Sequence, residues 1–283
     1  MKRQQLILVS SAAVLLLLLL FFGKTIPPKS PKPKPPVSAG SLKPNTFNID
    51  TALQVARSKL SPQQQSYVVQ LESSVVRGDV NTQQAARYRQ LAEFYKDTAH
   101  LLLPFAYYSS EAAKLENSEK SLTFAARFFL ESARGQDDEE LKRWMANESR
   151  ELFERALKIN PGNDSLKVGL GSCYLLGDIA DNPMQGIMMI REVAERDSSN
   201  MYAQYMLGMG AMISGQLDKA IDRLNIVAAR QPDNAEVLLM LAEAYERKGE
   251  KQQAVKWYEN VKSRVNNPDV SKEIEARIKS LSK

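Results

Sequence analysis

The side chains that most often perform chemistry are scarce in this chain of 283 residues. It holds one histidine, His100, and one cysteine, Cys173. Zinc sites and Cys–His hydrolases need several such groups converging on one atom, so these chemistries lose their raw material. A single cysteine also forms no intramolecular disulfide. His100 opens the apolar stretch His100–Pro104 and is expected to be a partly buried residue at a helix end. The densest acidic run, Asp137-Asp138-Glu139-Glu140, begins just before a helical segment, where it suits the positive end of the helix dipole. Neither a glycine-rich phosphate loop nor a Ser–His–Asp set can be assembled. The chain is read as a non-enzyme, with no catalytic, metal-binding or cofactor-binding residue expected.

Charge divides the chain unevenly. Seven basic residues (Lys2, Arg3, Lys24, Lys29, Lys32, Lys34 and Lys43) precede Asp50, and no acidic residue does. With a formal total of +5, residues 47–283 are left at about −2. The alkaline character therefore belongs to the N-terminal segment. A nucleic-acid-binding domain needs a basic footprint that residues 47–283 lack.

The N-terminal segment has two parts. Leu6–Phe22 is an unbroken apolar run whose only polar members are Ser10 and Ser11. As a helix rising ~1.5 Å per residue it spans about 25 Å, close to a hydrocarbon core. Signal-peptide cleavage needs small residues beyond such a run, and Gly23-Lys24-Thr25-Ile26-Pro27 supplies no such site. Residues 1–23 are expected to be an uncleaved signal anchor. Lys2 and Arg3 favour a cytoplasmic N-terminus, placing the remainder on the outer, periplasmic side of a bacterial inner membrane. The lysines after the run compete, and cytoplasmic-facing repeats are the alternative. Residues 24–47 hold seven of the thirteen prolines and read as an extended polyproline spacer. The alternative reading of that stretch is a ligand for a proline-binding module or for anionic lipid headgroups.

From residue 48 the pattern is helices of ten to twenty residues joined by short turns. Pro62 suits a first helical position after Ser61, with Gln64 completing a capping box. The helices repeat, most plainly over residues 201–234, where Leu207-Gly208 is followed by Ala211, Gly215, Ala220, Leu224, Val227 and Pro232. Residues 235–268 supply Leu241-Ala242, Tyr245, Gly249, Ala254, Tyr258, Val261 and a late Pro268. This pattern resembles the tetratricopeptide repeat (TPR), a helix–turn–helix with small residues where its two helices cross. Earlier units fit once insertions are allowed. Residues 164–200 carry Leu170-Gly171, Tyr174 and Gly186, with extra residues around Asp178–Pro183. Residues 119–163 carry Leu122, Ala125-Ala126, Phe129, Phe153, Ala156 and Pro161, with a longer insertion around Asp137–Asn147. Residues 85–118 carry Tyr88, Leu91-Ala92, Tyr95, Ala106 and Ala113. Residues 48–84 read as a helical N-terminal cap or degenerate repeat, and residues 269–283 as a C-terminal capping helix. The resemblance implies an all-α fold, a TPR α-solenoid wound as a right-handed superhelix.

The resemblance also implies a site. In TPR proteins the first helix of each hairpin lines a concave groove through motif positions 2, 5, 9, 12 and 13. On residues 201–234 these are Tyr202, Tyr205, Met209, Met212 and Ile213. On residues 164–200 they are Ser165, Val168, Ser172, Leu175 and Leu176. On residues 235–268 they are Glu236, Leu239, Glu243, Glu246 and Arg247. Such a groove is rich in Met and Tyr at its middle and acidic at its C-terminal end. It suits a protein segment with apolar anchors and a basic flank. The alternative is that these side chains pack against neighbouring helices. The Lys, Asn and Arg used by TPRs that clamp a terminal carboxylate are absent from these positions.

The implied function is a membrane-anchored scaffold that binds proteins or peptides, as in bacterial single-pass TPR proteins of envelope assembly or secretion quality control. The alternatives are an RNA-binding helical repeat, which needs a basic groove with polar base-reading side chains, and, last, an enzyme. No nucleic-acid partner is expected.

Overall fold

The computed structural model describes residues 46–77, 80–180 and 183–282, all within one compact unit. The anchor expected at 6–22 and nearly all of the linker lie outside the described residues. Among those described, no helix is long and apolar enough to cross a membrane. They form thirteen α-helices and no strand.

Two helices lead in, α1 (Ile49–Ser58) and α2 (Pro62–Arg77). Five hairpins follow: α3 (Asn81–Glu93) with α4 (Leu102–Glu116), α5 (Glu119–Arg134) with α6 (Glu139–Ile159), α7 (Asp164–Leu176) with α8 (Met184–Arg196), α9 (Met201–Ile213) with α10 (Leu217–Arg230), and α11 (Ala235–Lys248) with α12 (Lys251–Lys262). A last helix, α13 (Pro268–Leu281), packs on α12. Within the five hairpins each helix packs most closely on its partner and next on its other sequence neighbour. The first helices α5, α7, α9 and α11 also touch one another in succession. The buried apolar residues form four clusters that hand over along the array, each joining neighbouring hairpins. No hairpin completes its core alone, which is why the array must stack.

Local chemistry explains where the helices begin. Ser61 and Gln64 form the expected capping box: the Gln64 amide donates to Ser61 Oγ (3.3 Å) and the Ser61 amide to Gln64 Oε1 (2.9 Å). Asn163, Asn200, Asn234 and Asn267 each cap the helix that follows, accepting amide protons that have no partner inside it. Asp138 does the same for α6, with Glu139 and Glu140 in its first turn, so the acidic run is a helix start. His100 sits between a π-helical turn (Phe94–Thr98) and α4. Its φ is +54°, and its ring is exposed rather than partly buried, because the left-handed backbone turns it outward.

The expected insertion near 137–147 is no loop. It lengthens α6 at its start, and Trp144 in those extra turns packs edge-on against Phe129 (5.4 Å between centroids). Trp144 also meets the Phe47 ring at 5.3 Å between centroids, which ties Phe47 to the start of α6. The second insertion, at 178–183, meets the first. Arg143 donates to the Asp178 carboxylate (3.0 Å) and carbonyl (3.2 Å). Gly177 lies so close to Ala146 that a Cβ on it would stand 2.2 Å from the Ala146 methyl. α1 is held by Arg57, which donates twice to Glu72 (2.6 and 2.7 Å), while Tyr108 donates to the same carboxylate (2.6 Å).

Candidate functional site

The first helices α5, α7, α9 and α11 are where the resemblance puts a groove, and its central part is filled. Val168 and Ser172 on α7 are fully buried, and Ser172 Oγ donates to the Val168 carbonyl at 2.8 Å. Met209 and Met212 on α9 are also buried, and Tyr202 is half-buried. These side chains pack against neighbouring helices, and Val168, Ser172 and Met212 are closed off in this conformation, whereas Met209 also borders an open space. The reason is the close succession of α5, α7 and α9, which brings one first helix over the next at these positions.

Over this filled centre lies a clasp. Arg134, at the end of α5, donates to the Tyr205 hydroxyl on α9 (2.9 Å) and to Glu236 on α11 (2.5 Å). Tyr205 donates in turn to Glu236 (2.6 Å), and the guanidinium stands 5.9 Å from the centre of the tyrosine ring. Three helices from three hairpins are thereby joined. Burial alone would push Glu236 up, but the bonds from Tyr205 and Arg134 outweigh it and hold the carboxyl below its ordinary range. Burial opposes the Arg134 charge, yet Glu236, Tyr205 and Glu131 keep the guanidinium firmly protonated.

Two open spaces flank the clasp, with Arg134 lining one and Glu236 the other. The first, about 660 Å³, includes Lys142, Leu175, Leu176, Met209 and Ile213. Ile213 is strongly exposed, at 61%. The second, about 640 Å³, lies at the C-terminal end, where α11 and α13 face each other over α12. Leu239, Glu243 and Glu246 line it from α11, Val261 from α12, and Val270, Glu273, Ile274 and Arg277 from α13. Both volumes fall in the range of ligand clefts. The ten candidate residues thus divide. Leu239, Glu243 and Glu246 share the C-terminal cleft, Met209 and Ile213 border the other, Tyr205 is in the clasp, and Tyr202, Met212, Val168 and Ser172 belong to the packed centre.

Three further features of the site stand outside the expected groove positions or add to them. Arg134 is not at a groove position of its own repeat, and only the curvature of the array carries it to Tyr205. α13 supplies a full wall of the cleft. The signal for it was in the sequence, since Asn267-Pro268 continues the spacing of helix-capping asparagines at 200 and 234. α13 therefore stands where the first helix of another hairpin would. Finally, Glu246 holds this wall in place: it accepts from the Tyr258 hydroxyl (2.8 Å) and from Arg277 Nε (2.8 Å).

The remaining chemical groups are quiet. Cys173 is fully buried and donates to Ser149 Oγ (3.2 Å), and burial pushes its thiol up to about 12, far from a reactive thiolate. Among the described residues no cluster of three or more His, Cys, Asp or Glu side chains is placed to hold a metal ion.

A family model described as tetratricopeptide repeat matches residues 205–266, which span all of α10, α11 and α12 and most of α9. No curated protein matches the chain. Among solved structures, a MamA protein is 16% identical, covering 64% of this chain and 91% of its own, with a TM-score of 0.43. YrrB, titled as a TPR protein with an unusual peptide-binding site, is 16% identical over 68% of this chain and 92% of its own, with a TM-score of 0.42. MamA from Desulfovibrio magneticus RS-1 is 16% identical over 66% and 96%, with a TM-score of 0.43. At those scores the likenesses carry no argument about what this chain binds.

Proposed function

We propose that the chain is a membrane-anchored TPR scaffold that binds segments of partner proteins on the concave face of its helical array. The carrying observation is the cleft between α11 and α13, an open space of about 640 Å³ with apolar and charged walls, whose α11 and α12 sides lie within the TPR match. Such a cleft can hold side chains of another protein without rearranging the core. The filled centre gives the array a rigid body on which that cleft is carried.

Anchoring rests on the apolar run at 6–22 and the proline-rich spacer at 24–47. With them, five TPR units over 85–268 would stand off the bilayer on the periplasmic side of an inner membrane. A role in envelope assembly or secretion quality control fits that arrangement. The acidic C-terminal cleft and the negative charge of residues 47–283 speak against an RNA partner.

The test places a photo-cross-linking amino acid at Leu239, in the cleft, or at Ile226, exposed on the second helix of a hairpin. Full-length protein is irradiated in intact cells and the adducts are resolved. Discrete protein adducts from position 239 and none from 226 are expected. Equal patterns from both positions, or no adduct from 239, would overturn the concave-face reading. Alkaline extraction of membranes, with and without residues 6–22, tests the anchor: full-length protein should stay in the pellet and the deletion should not.

A further inference from the structure

The C-terminal cleft carries a charge pattern that selects among protein segments. Four carboxylates and two guanidiniums line it, and most are already committed within the chain. Glu236 belongs to the clasp with Arg134 and Tyr205. Glu246 is bonded to Tyr258 and Arg277. Arg247 donates to the carbonyl of Met212 (2.9 Å), closing the end of α9. Two groups are left, Glu243 on α11 and Glu273 on α13, one from each wall. Among the described residues neither makes a hydrogen bond or an ion pair. Apolar side chains share the lining with them: Leu239, Val265, the buried Ile274 and the exposed Val270.

We propose that this cleft receives a partner-protein segment in which one lysine or arginine is flanked by aliphatic side chains, the cation lodging between Glu243 and Glu273. The assignment rests on the protein-binding reading above and specifies the chemistry of the segment. A segment with an acidic residue at that point would add a third uncommitted negative charge to a half-enclosed space. A wholly apolar one would cover Glu243, whose ionisation burial and Glu246 already disfavour, and give it no counter-charge. A cation supplies that charge, and the aliphatic neighbours cover the walls. α13, which the sequence presents as a cap, thus acts as half of a receptor.

The experiment selects short peptides from an unbiased displayed library on full-length protein in detergent micelles. Wild type and a Glu243→Gln/Glu273→Gln variant are used side by side. Both changes are isosteric and at solvent-facing groups, and far-UV circular dichroism confirms the helical content. Wild type should enrich peptides with a central Lys or Arg between aliphatic residues. Their affinity, read by fluorescence anisotropy, should fall ~tenfold or more on the double variant and should weaken with added salt. Enriched peptides without a basic residue, or equal affinity for both proteins, would overturn the assignment. The cross-linking at Leu239 keeps the two readings apart. Adducts in cells without any selected peptide remove this occupant and leave the scaffold standing, whereas loss of the adducts themselves removes the scaffold reading.

Discussion

The middle of the concave face and its C-terminal end use the same motif positions and meet opposite fates. Val168 and Ser172 on α7, and Met212 on α9, are closed over, while Leu239, Glu243 and Glu246 on α11 line an open cleft. Side-chain type does not decide this, since Val168 and Leu239 are both aliphatic. Spacing between successive first helices does. α5, α7, α9 and α11 touch in turn, whereas α11 and α13 meet mainly through the Glu246–Arg277 bridge and leave space between them. A motif position names a direction; whether that direction is groove or core depends on the neighbouring helix.

The sharpest way to break the comparison is to disturb the closed region. α7 and α8 cross at Gly171 and Gly186, and a Cβ on Gly186 would stand 2.2 Å from the Gly171 carbonyl oxygen. That neighbour is backbone and cannot step aside. Gly186→Ala should therefore cost about 3 kcal/mol, at the upper end of overpacking effects. Gly135, after α5, has nothing within 4 Å of the same added atom and keeps φ at −94°. Gly135→Ala should lie within about 0.5 kcal/mol of wild type. Urea unfolding of both variants in micelles measures the contrast. Equal stabilities would show that the α7–α8 crossing is looser than its geometry.

A smaller effect is expected at the boundary between the two regions. Arg134→Ala removes the clasp, and because Glu236 is half-exposed the loss should be about 1 kcal/mol or less. A cycle with Glu236→Gln should show a coupling of ~0.5 kcal/mol. Its pH dependence has a definite sign. The folded Glu236 carboxyl is held below its ordinary value, so its contribution is present above the unfolded value of about 4.3. It disappears as pH falls through the lower folded value. The stability gap between wild type and Glu236→Gln should therefore be constant at neutral pH and close in acid. Hydrogen exchange at the start of α11 should quicken in Arg134→Ala while α7 stays protected.

Much of this arrangement was legible beforehand because hairpin packing is written in small residues. Gly171, Gly186, Gly208 and Ala254 sit at helix crossings because only small side chains fit there, and the sequence shows them directly. The contacts between hairpins were not legible. Arg134 reaches Glu236 only through the curvature of the array, and Arg143 finds Asp178 only because two insertions fold toward each other. Nothing in the spacing of either pair along the chain announces the contact. Whether Val168 and Ser172 face a groove or a neighbouring helix stayed open for the same reason: periodicity within a helix marks a face, not what covers it.

The smallest expected effect separates two roles within the open cleft. Glu246 and Glu243 lie one turn apart on α11 and line the same cleft, yet their environments push in opposite directions. For Glu246, burial is outweighed by the bonds from Arg277 and Tyr258, and its carboxyl lies below the ordinary range. Glu246→Gln should destabilise the protein above about pH 4.3 and converge with wild type in acid. For Glu243, burial comes first and Glu246 adds to it, with Arg247 opposing, so its carboxyl lies above the ordinary range. The folded state then binds its proton more tightly than the unfolded chain does. Stability falls as pH rises from the unfolded value through the folded one, and at neutral pH the ionised group is a small net cost. Glu243→Gln should accordingly stabilise the free protein by a few tenths of a kcal/mol, an increment in the range of ordinary surface changes. It should also weaken the hold on a basic segment. A carboxylate that serves only the fold has no reason to show that pairing, because removing it would cost stability and leave binding alone. Denaturant midpoints of the two glutamine variants at neutral pH, set beside their peptide affinities, decide between the roles. Destabilisation by Glu243→Gln with unchanged affinity would return that residue to the fold and leave the cleft without its receptor.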